Sequence, residues 1–578
     1  MMKKTYRFMA AALLITGALL TTACSNDDEA VNNPEGQSAA RSFLFTATLA
    51  PKHADGDQTR AISVNDQGTA NETLTTTWAE GEQIAVYYKK GDGSYATAIA
   101  SVGAPNSDGT ASITATLEDA ADQTIVSFVY PASLHNGKGG IDDAKLRMNQ
   151  HGTIADISAN FDGATGYSTL VTDGTSFSTT ASTIKLENEL LIGKFIPQVS
   201  GSPITGIKRL TVAYYSGVYT ATPSGTETFG TDGIYIAMRH VNNDEATTII
   251  AVTADKTYRF TKKVTLDKGK FYRNLVIPMT ESSRTVDLSK FSDSDIYVAE
   301  DGETLSGTAP ANFYLLIVSG ATVTLSGVKN DLLNNGSFYD YPGIECKGNA
   351  TIVLAEGTMN TLTGSANPGL KAGPTGTTLT IQGLGTLVAT GGNSSSGIGS
   401  DRNDVCGNII ISDGMITATG GNNAAGIGSG FGGHRGNSSC GTITISCGTV
   451  TATAGNKAAG IGSGDGEAGG NSRCGTITIS GGTVTAQCGQ ENGNHAAIGC
   501  GYDGTCDDIT LNTSITSITL KKSDANQYFI GGPVGHRGTV RINNSEYSSD
   551  ELKSGRDGRF IVFSCSLTDG GKTWTLVP

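Results

Sequence analysis

The sequence predicts an all-β protein, with a β-sandwich region in the N-terminal half and a right-handed parallel β-helix in the C-terminal half. Three observations carry this. The 578 residues hold 77 glycines but only 14 prolines, which suits short strands joined by tight corners. Alternation of apolar and polar residues, rich in Val, Ile and Thr, recurs almost everywhere, and helical period almost nowhere. Finally, one phrase is written several times: Gly397-Ile398-Gly399, Gly426-Ile427-Gly428, Gly460-Ile461-Gly462 and, more loosely, Ala497-Ile498-Gly499.

Each copy leads to a Cys (406, 440, 474, 506) and then to an apolar pair, Ile409/Ile411, Ile443/Ile445, Ile477/Ile479 and Ile509/Leu511, whose first members lie 34, 34 and 32 residues apart. A fixed period marks a repeat architecture in which each unit buries its apolar face only by stacking on its neighbours. Within a unit, Thr476–Ser480 and Thr483–Ala486 read as strands around a Gly481-Gly482 corner. Such a corner also fits an antiparallel hairpin. The identical phase of every repeat favours like strands stacked at about 4.8 Å per rung. Weaker copies at Leu379/Ile381, Ile352/Leu354 and Leu316/Val318 extend the stack upstream.

Repeat lengths differ at one place. The step from the Gly-Ile-Gly isoleucine to the strand isoleucine is 11, 16, 16 and 11 residues. The extra residues therefore leave the stack at one corner, and insertions confined to one flank of a solenoid commonly form its binding face.

Taken in order, residues 1–23 read as a signal peptide: Lys3, Lys4 and Arg7, an apolar run from Phe8 to Leu20, then small residues. Leu20-Thr21-Thr22-Ala23-Cys24 resembles a bacterial lipobox, although its Leu stands one position early, and this implies Cys24 as the lipid-bearing residue of an outer-membrane, surface-exposed lipoprotein. Residues 24–41, with the acidic run Asp27-Asp28-Glu29, read as a flexible tether. The net charge of −14 argues against a nucleic-acid surface.

Residues 42–280 alternate as strands such as Phe43–Ala47, Ile84–Tyr88 and Ile125–Val129 without any period, the pattern of a sandwich, with length enough for two subdomains. Thr59-Arg60-Ala61, Trp78-Ala79-Glu80-Gly81-Glu82, Tyr130-Pro131-Ala132 and Gly269-Lys270-Phe271-Tyr272 resemble the fimbrillin-like surface lipoproteins. That resemblance implies transthyretin-like sandwiches, fimbrial subunits as partners, and Arg60 as a candidate cleavage site. The C-terminal end that polymerising members donate is occupied here by another domain, which favours a tip or accessory role.

Glu281–Arg284 reads as a linker, 285–545 as the β-helix and 546–578 as a C-terminal cap, with Trp574 a capping residue. Gly343-Ile344-Glu345-Cys346, Thr378–Ile381 and Gly481–Ala486 are similar to the bacterial carbohydrate-binding β-helix family. The resemblance implies binding of an acidic polysaccharide with calcium.

The corner insertions supply candidates for both. Arg402, Arg435, Arg473 and Arg537 offer planar forks for sugar carboxylates, with His434 and His536 beside two of them. Phe431 and Tyr502 offer flat apolar rings. Asp401, Asp404, Asp465, Glu467 and Asp503 supply hard oxygens for calcium. The four repeat cysteines fit either a column of buried thiols or one or two disulfides, and Cys447, Cys488 and Cys500 are equally open. Zinc is disfavoured, since no CxxC or paired His accompanies them.

The leading expectation is a non-catalytic glycan-binding adhesin whose partner is a polysaccharide or a host or biofilm glycan. The alternatives are a purely structural fimbrial subunit and a β-helix polysaccharide hydrolase or lyase using Asp507 and Asp508 with His536. Adjacent strand residues point to opposite faces, which argues against the enzyme.

Overall fold

The structure is a computed structural model that describes residues 41–51, 63–65, 73–75 and 77–576, apart from 148–149, 215–216, 226, 243–245, 333–339, 435, 468–469, 513, 523–525, 534, 543, 548–562 and 569–570. The signal peptide, Cys24, Arg60 and Arg435 lie outside the described residues.

Among these residues the regular elements are almost all strands. The first unit pairs its strands in the order 187–188, 164–172, 125–130, 83–89, 95–102, 111–118, 42–49 and 176–179, and 176–179 pairs back onto 164–172. One sheet thus closes on itself, where alternation alone suggested two. Its core holds Phe45, Leu49, Ile84, Ile113, Leu117 and Phe128. The Trp-Ala-Glu-Gly-Glu and Tyr-Pro phrases meet there: Tyr130 donates to Glu82 Oε1 at 2.7 Å, and the Trp78 ring stands edge-on to Tyr130 at 5.4 Å.

The second unit sets two sheets against each other. Leu191–Val199 pairs with 234–238 and 271–278 in one; Arg209–Tyr214 and Ala246–Val252 form the centre of the other. Leu210, Val212, Ile249 and Ala251 point into the sandwich core, whereas Ala213 and Ile250 join the core of the β-helix. This sheet is buried on both faces, which is why Thr247–Ala251 shows no alternation in burial.

From Thr285 onward the chain coils into a parallel β-helix with three faces. Leu379/Ile381, Ile409/Ile411, Ile443/Ile445, Ile477/Ile479 and Ile509/Leu511 lie in register on the first, which ends at Val540/Ile542. Strands 359–363, 386–390, 415–419, 449–453, 483–487 and 517–522 form the second. The Gly-Ile-Gly strands form the third, with Ile398, Ile427, Ile461 and Ile498 inward and stacked.

The stack begins earlier than the repeat text shows. Leu316 belongs to the third face, paired in Tyr314–Ile317 with 344–346, and the pair matching Ile352/Leu354 is Val323/Leu325. Leu315–Val318 is a continuous apolar run, so alternation could not fix its phase. Far from a free linker, Thr280–Glu281 pairs with 258–259 and Ser282 N donates to Thr257 O at 2.8 Å. At the other end, strand 571–576 pairs antiparallel with 517–522 and with 563–568.

Candidate functional site

The inserted residues return to the stack instead of dangling. Asn437–Cys440, Asn471–Cys474 and Thr505–Cys506 pair in parallel as a fourth ladder, continued by bridges Val405↔Ser439 and Cys506↔Arg537. Each insertion turns out of the Gly-Ile-Gly face, crosses one edge, and rejoins through this ladder.

That edge aligns four of the candidate residues. Asn403 N donates to Phe431 O at 3.0 Å, Gly432 N to Asp465 O at 2.9 Å and Gly466 N to Tyr502 O at 2.7 Å. Arg402, Phe431, Asp465 and Tyr502 therefore occupy the same position of successive coils, about 4.8 Å apart. The Arg402 guanidinium lies 5.5 Å from the Phe431 ring centroid, and Lys457 Nζ lies 5.4 Å from that of Tyr502. Corner residues brace the column from behind: Phe431 N, Asp465 N and Tyr502 N donate to Ser394 O, Asn423 O and Lys457 O at 3.0, 2.9 and 2.8 Å.

The carboxylates fall into two groups. Asp404 Oδ2 pairs with Lys371 Nζ at 2.7 Å, and Asp401 accepts from Ser395 Oγ and Arg402 N, while burial raises its pKa. Asp465 is 3% exposed. Burial pushes its carboxyl up to about 6, Asp503 and Glu467 add to this, and the Glu467 N–H donor and Lys457 oppose it. Glu467 and Asp503 are exposed. Among the described residues no three of His, Cys, Asp and Glu gather to hold a metal.

The remaining candidates stand apart from the column. His434 is exposed on a turn. Arg473 is committed to Asp507 at 2.9 and 3.0 Å. His536 Nδ1 lies 3.0 Å from Gly504 O, and Arg537 donates to Gly538 O at 2.8 Å, so both close the last coil. Asp508 pairs with Arg541 at 3.2 Å; the two adjacent carboxylates are thus held by different arginines.

Lys371 and Lys457 were missed by sequence reasoning. Lys371 stands in register with Gly399, and the signal was there, because aligning the coils puts a lysine where the strong repeats have glycine. Beside it, Glu345 pairs with Lys347 at 2.6 Å and accepts from Tyr314. Burial raises the Glu345 carboxyl, but Lys347 and Lys371 outweigh it and hold it at about 2.

Of the cysteines, Cys440 and Cys474 are register neighbours, as are Cys474 and Cys506. Cys406, Cys440 and Cys474 are buried free thiols, whereas Cys506 turns sideways to form a disulfide with Cys500, with Cα atoms 5.4 Å apart.

Fold and edge together define a repeat-built parallel β-helix carried behind two further β units. The Beta helix repeat family matches residues 379–402, 409–431, 443–465 and 477–502, each match starting on the first residue of an apolar strand pair. Solved structures of candidate cell adhesion proteins overlap with parts of the chain. One from Bacteroides fragilis is 8% identical and covers 42% of this chain and 97% of its own, at a TM-score of 0.25. One from Bacteroides ovatus is 12% identical and covers 43% and 97%, at 0.22. Overlaps this slight carry no argument about function. No curated protein matches the sequence.

Proposed function

We propose that the chain is a non-catalytic glycan-binding adhesin that reads an acidic polysaccharide along the edge bearing Arg402, Phe431, Asp465 and Tyr502. The observation that supports this is the alignment of Arg402, Phe431, Asp465 and Tyr502 at rung spacing on a single edge, with Lys457 beside the Tyr502 ring. A polymer lying along the stack meets the exposed Arg402 guanidinium, backed by buried Phe431, for its carboxylates and the half-buried Tyr502 ring for an apolar sugar face. Calcium enters the proposal only as an ion shared between exposed Glu467 and Asp503 and a carboxylate of the glycan. A lipid on Cys24 tethers the body to the outer membrane, and the fimbrillin-like half serves as stalk, with an accessory or tip position in a fimbria as its setting. No helix among the described residues is long and apolar enough to cross a membrane.

The test is a glycan array with the full chain, run with calcium and with chelator. Binding to uronate-rich glycans is expected, weakened by chelator. Binding that ignores chelator removes calcium from the reading, and absence of glycan binding removes the adhesin.

A further inference from the structure

The second face of the β-helix has a side-chain pattern that the edge does not explain. Over five of its coils the positions off the core run in three columns: Met359, Thr386, Met415, Thr449, Thr483; Thr361, Val388, Thr417, Thr451, Thr485; and Thr363, Thr390, Thr419, Thr453, Gln487, of which Thr363 alone is buried. Eleven of these fifteen positions are Thr and none is charged, in a chain whose net charge is −14; Lys329 and Asp331 on the coil before and Lys521 on the coil after mark the two ends of the uncharged stretch. Threonine suits any exposed strand, but solvent alone does not require five coils without one charge, and charge is the usual guard against edge and face association.

Large apolar side chains also stand out from this face and its corner: Met359 is 65% exposed, Leu384 60% and Met415 56%. Parallel strands in register set the columns about 4.8 Å apart between rungs and about 6.6 Å along each strand. Over these five coils the result is a regular, uncharged lattice in which each exposed Thr offers a hydroxyl and a methyl.

We infer that this face docks onto the ordered surface of an uncharged, insoluble polysaccharide, where hydroxyls and C–H faces likewise repeat on a plane. An open sheet face disfavours a single soluble oligosaccharide, which needs a cleft to bury most of its surface. The absence of charge disfavours the acidic glycan proposed for the edge, so the two surfaces are separate. Area disfavours a second copy of this chain: five rungs span on the order of 400 Å², about half of the ~800 Å² per partner of a stable protein interface. A particle surface tolerates this, because it presents the same weak contact many times and retains the protein by repeated rebinding.

The experiment mixes the full chain with microcrystalline cellulose and with chitin particles, sediments them and measures the free fraction. Wild type is expected to deplete with at least one particle, with soluble oligosaccharide competing poorly. Thr417→Lys and Thr451→Lys, both outward on the sheet, should weaken retention at least ten-fold without changing the melting temperature. Thr451→Val, which keeps the shape and removes the hydroxyl, should weaken it by a smaller factor. Arg402→Ala should leave it unchanged, which separates this face from the edge. Wild type remaining in solution with both particles overturns the inference, as do lysine variants that sediment like wild type. A concentration-dependent dimer that Thr451→Lys dissolves assigns the face to a second copy and overturns it too.

Discussion

Arg259 of the second unit reaches across to the first coil of the β-helix, where its Nη2 lies 2.7 Å from Glu303 Oε1. The same guanidinium lies 4.4 Å from the Tyr297 ring centroid, Tyr297 donates to Glu303 Oε2 at 2.8 Å, and Arg209 pairs with buried Glu300 alongside. The open N-terminal end of the stack is thus closed by a sandwich through ion pairs set among Ala213, Ile250 and Val298.

Removing one partner of that pair strands a buried charge. Arg259→Met should cost about 3–5 kcal/mol by leaving Glu303 uncompensated. Arg259→Met combined with Glu303→Leu should recover most of it. Chemical denaturation of the three proteins measures this; a single variant as stable as wild type would show that the joint is solvated.

The glycine of the third face is fixed by its neighbours. Gly428 has φ +137°, and a Cβ there would lie 1.9 Å from Gly462 O. Gly428→Ala should open the ladder and lower the melting temperature by several degrees. Gly376→Ala, at φ +87° but facing open space, should cost only about 1–2 kcal/mol, by backbone strain alone.

Asp465 gives the edge a pH signature. Its folded pKa is raised above the ordinary carboxylate value, to about 6. The folded chain therefore binds this proton more tightly than the unfolded one, and its contribution to stability falls as pH rises from about 4 to 6. Asp465→Asn should flatten that part of the stability profile in thermal melts across pH 4–7. An unchanged slope would place the titration elsewhere.

Thiol labelling distinguishes the cysteines. Cys447 is exposed and should alkylate in the native protein, while Cys406, Cys440 and Cys474 should label only on unfolding. Cys500 and Cys506 should label only after reduction. Peptide mass mapping reads all six.

Much of the C-terminal half could be read from the sequence because like residues recur at like phase. Ile409, Ile443, Ile477 and Ile509 stack because each coil repeats the same local text. The insert ladder was less visible, since Asn437-Ser-Ser-Cys440 and Asn471-Ser-Arg-Cys474 lack the β-branched alternation of a strand. Their recurrence at a 34-residue spacing was the signal. The joint was not legible at all: Arg259 and Glu303 are 44 residues apart with no local pattern to link them. At the edge, the alignment of Phe431 with Asp465 and Tyr502 could have been counted, each lying four residues past a Gly-Ile-Gly isoleucine or its equivalent, whereas the commitment of Arg473 to Asp507 depends on side-chain reach that spacing does not record.

The central claim is that the Arg402–Tyr502 edge reads an acidic glycan. Affinity electrophoresis in gels containing polygalacturonate tests it most directly, comparing the full chain with Arg402→Ala and Tyr502→Ala. Wild type should be slowed by the polymer, and the variants should bind at least ten-fold more weakly with unaltered melting. Wild type that migrates equally with and without polymer, or variants slowed as much as wild type, would contradict it.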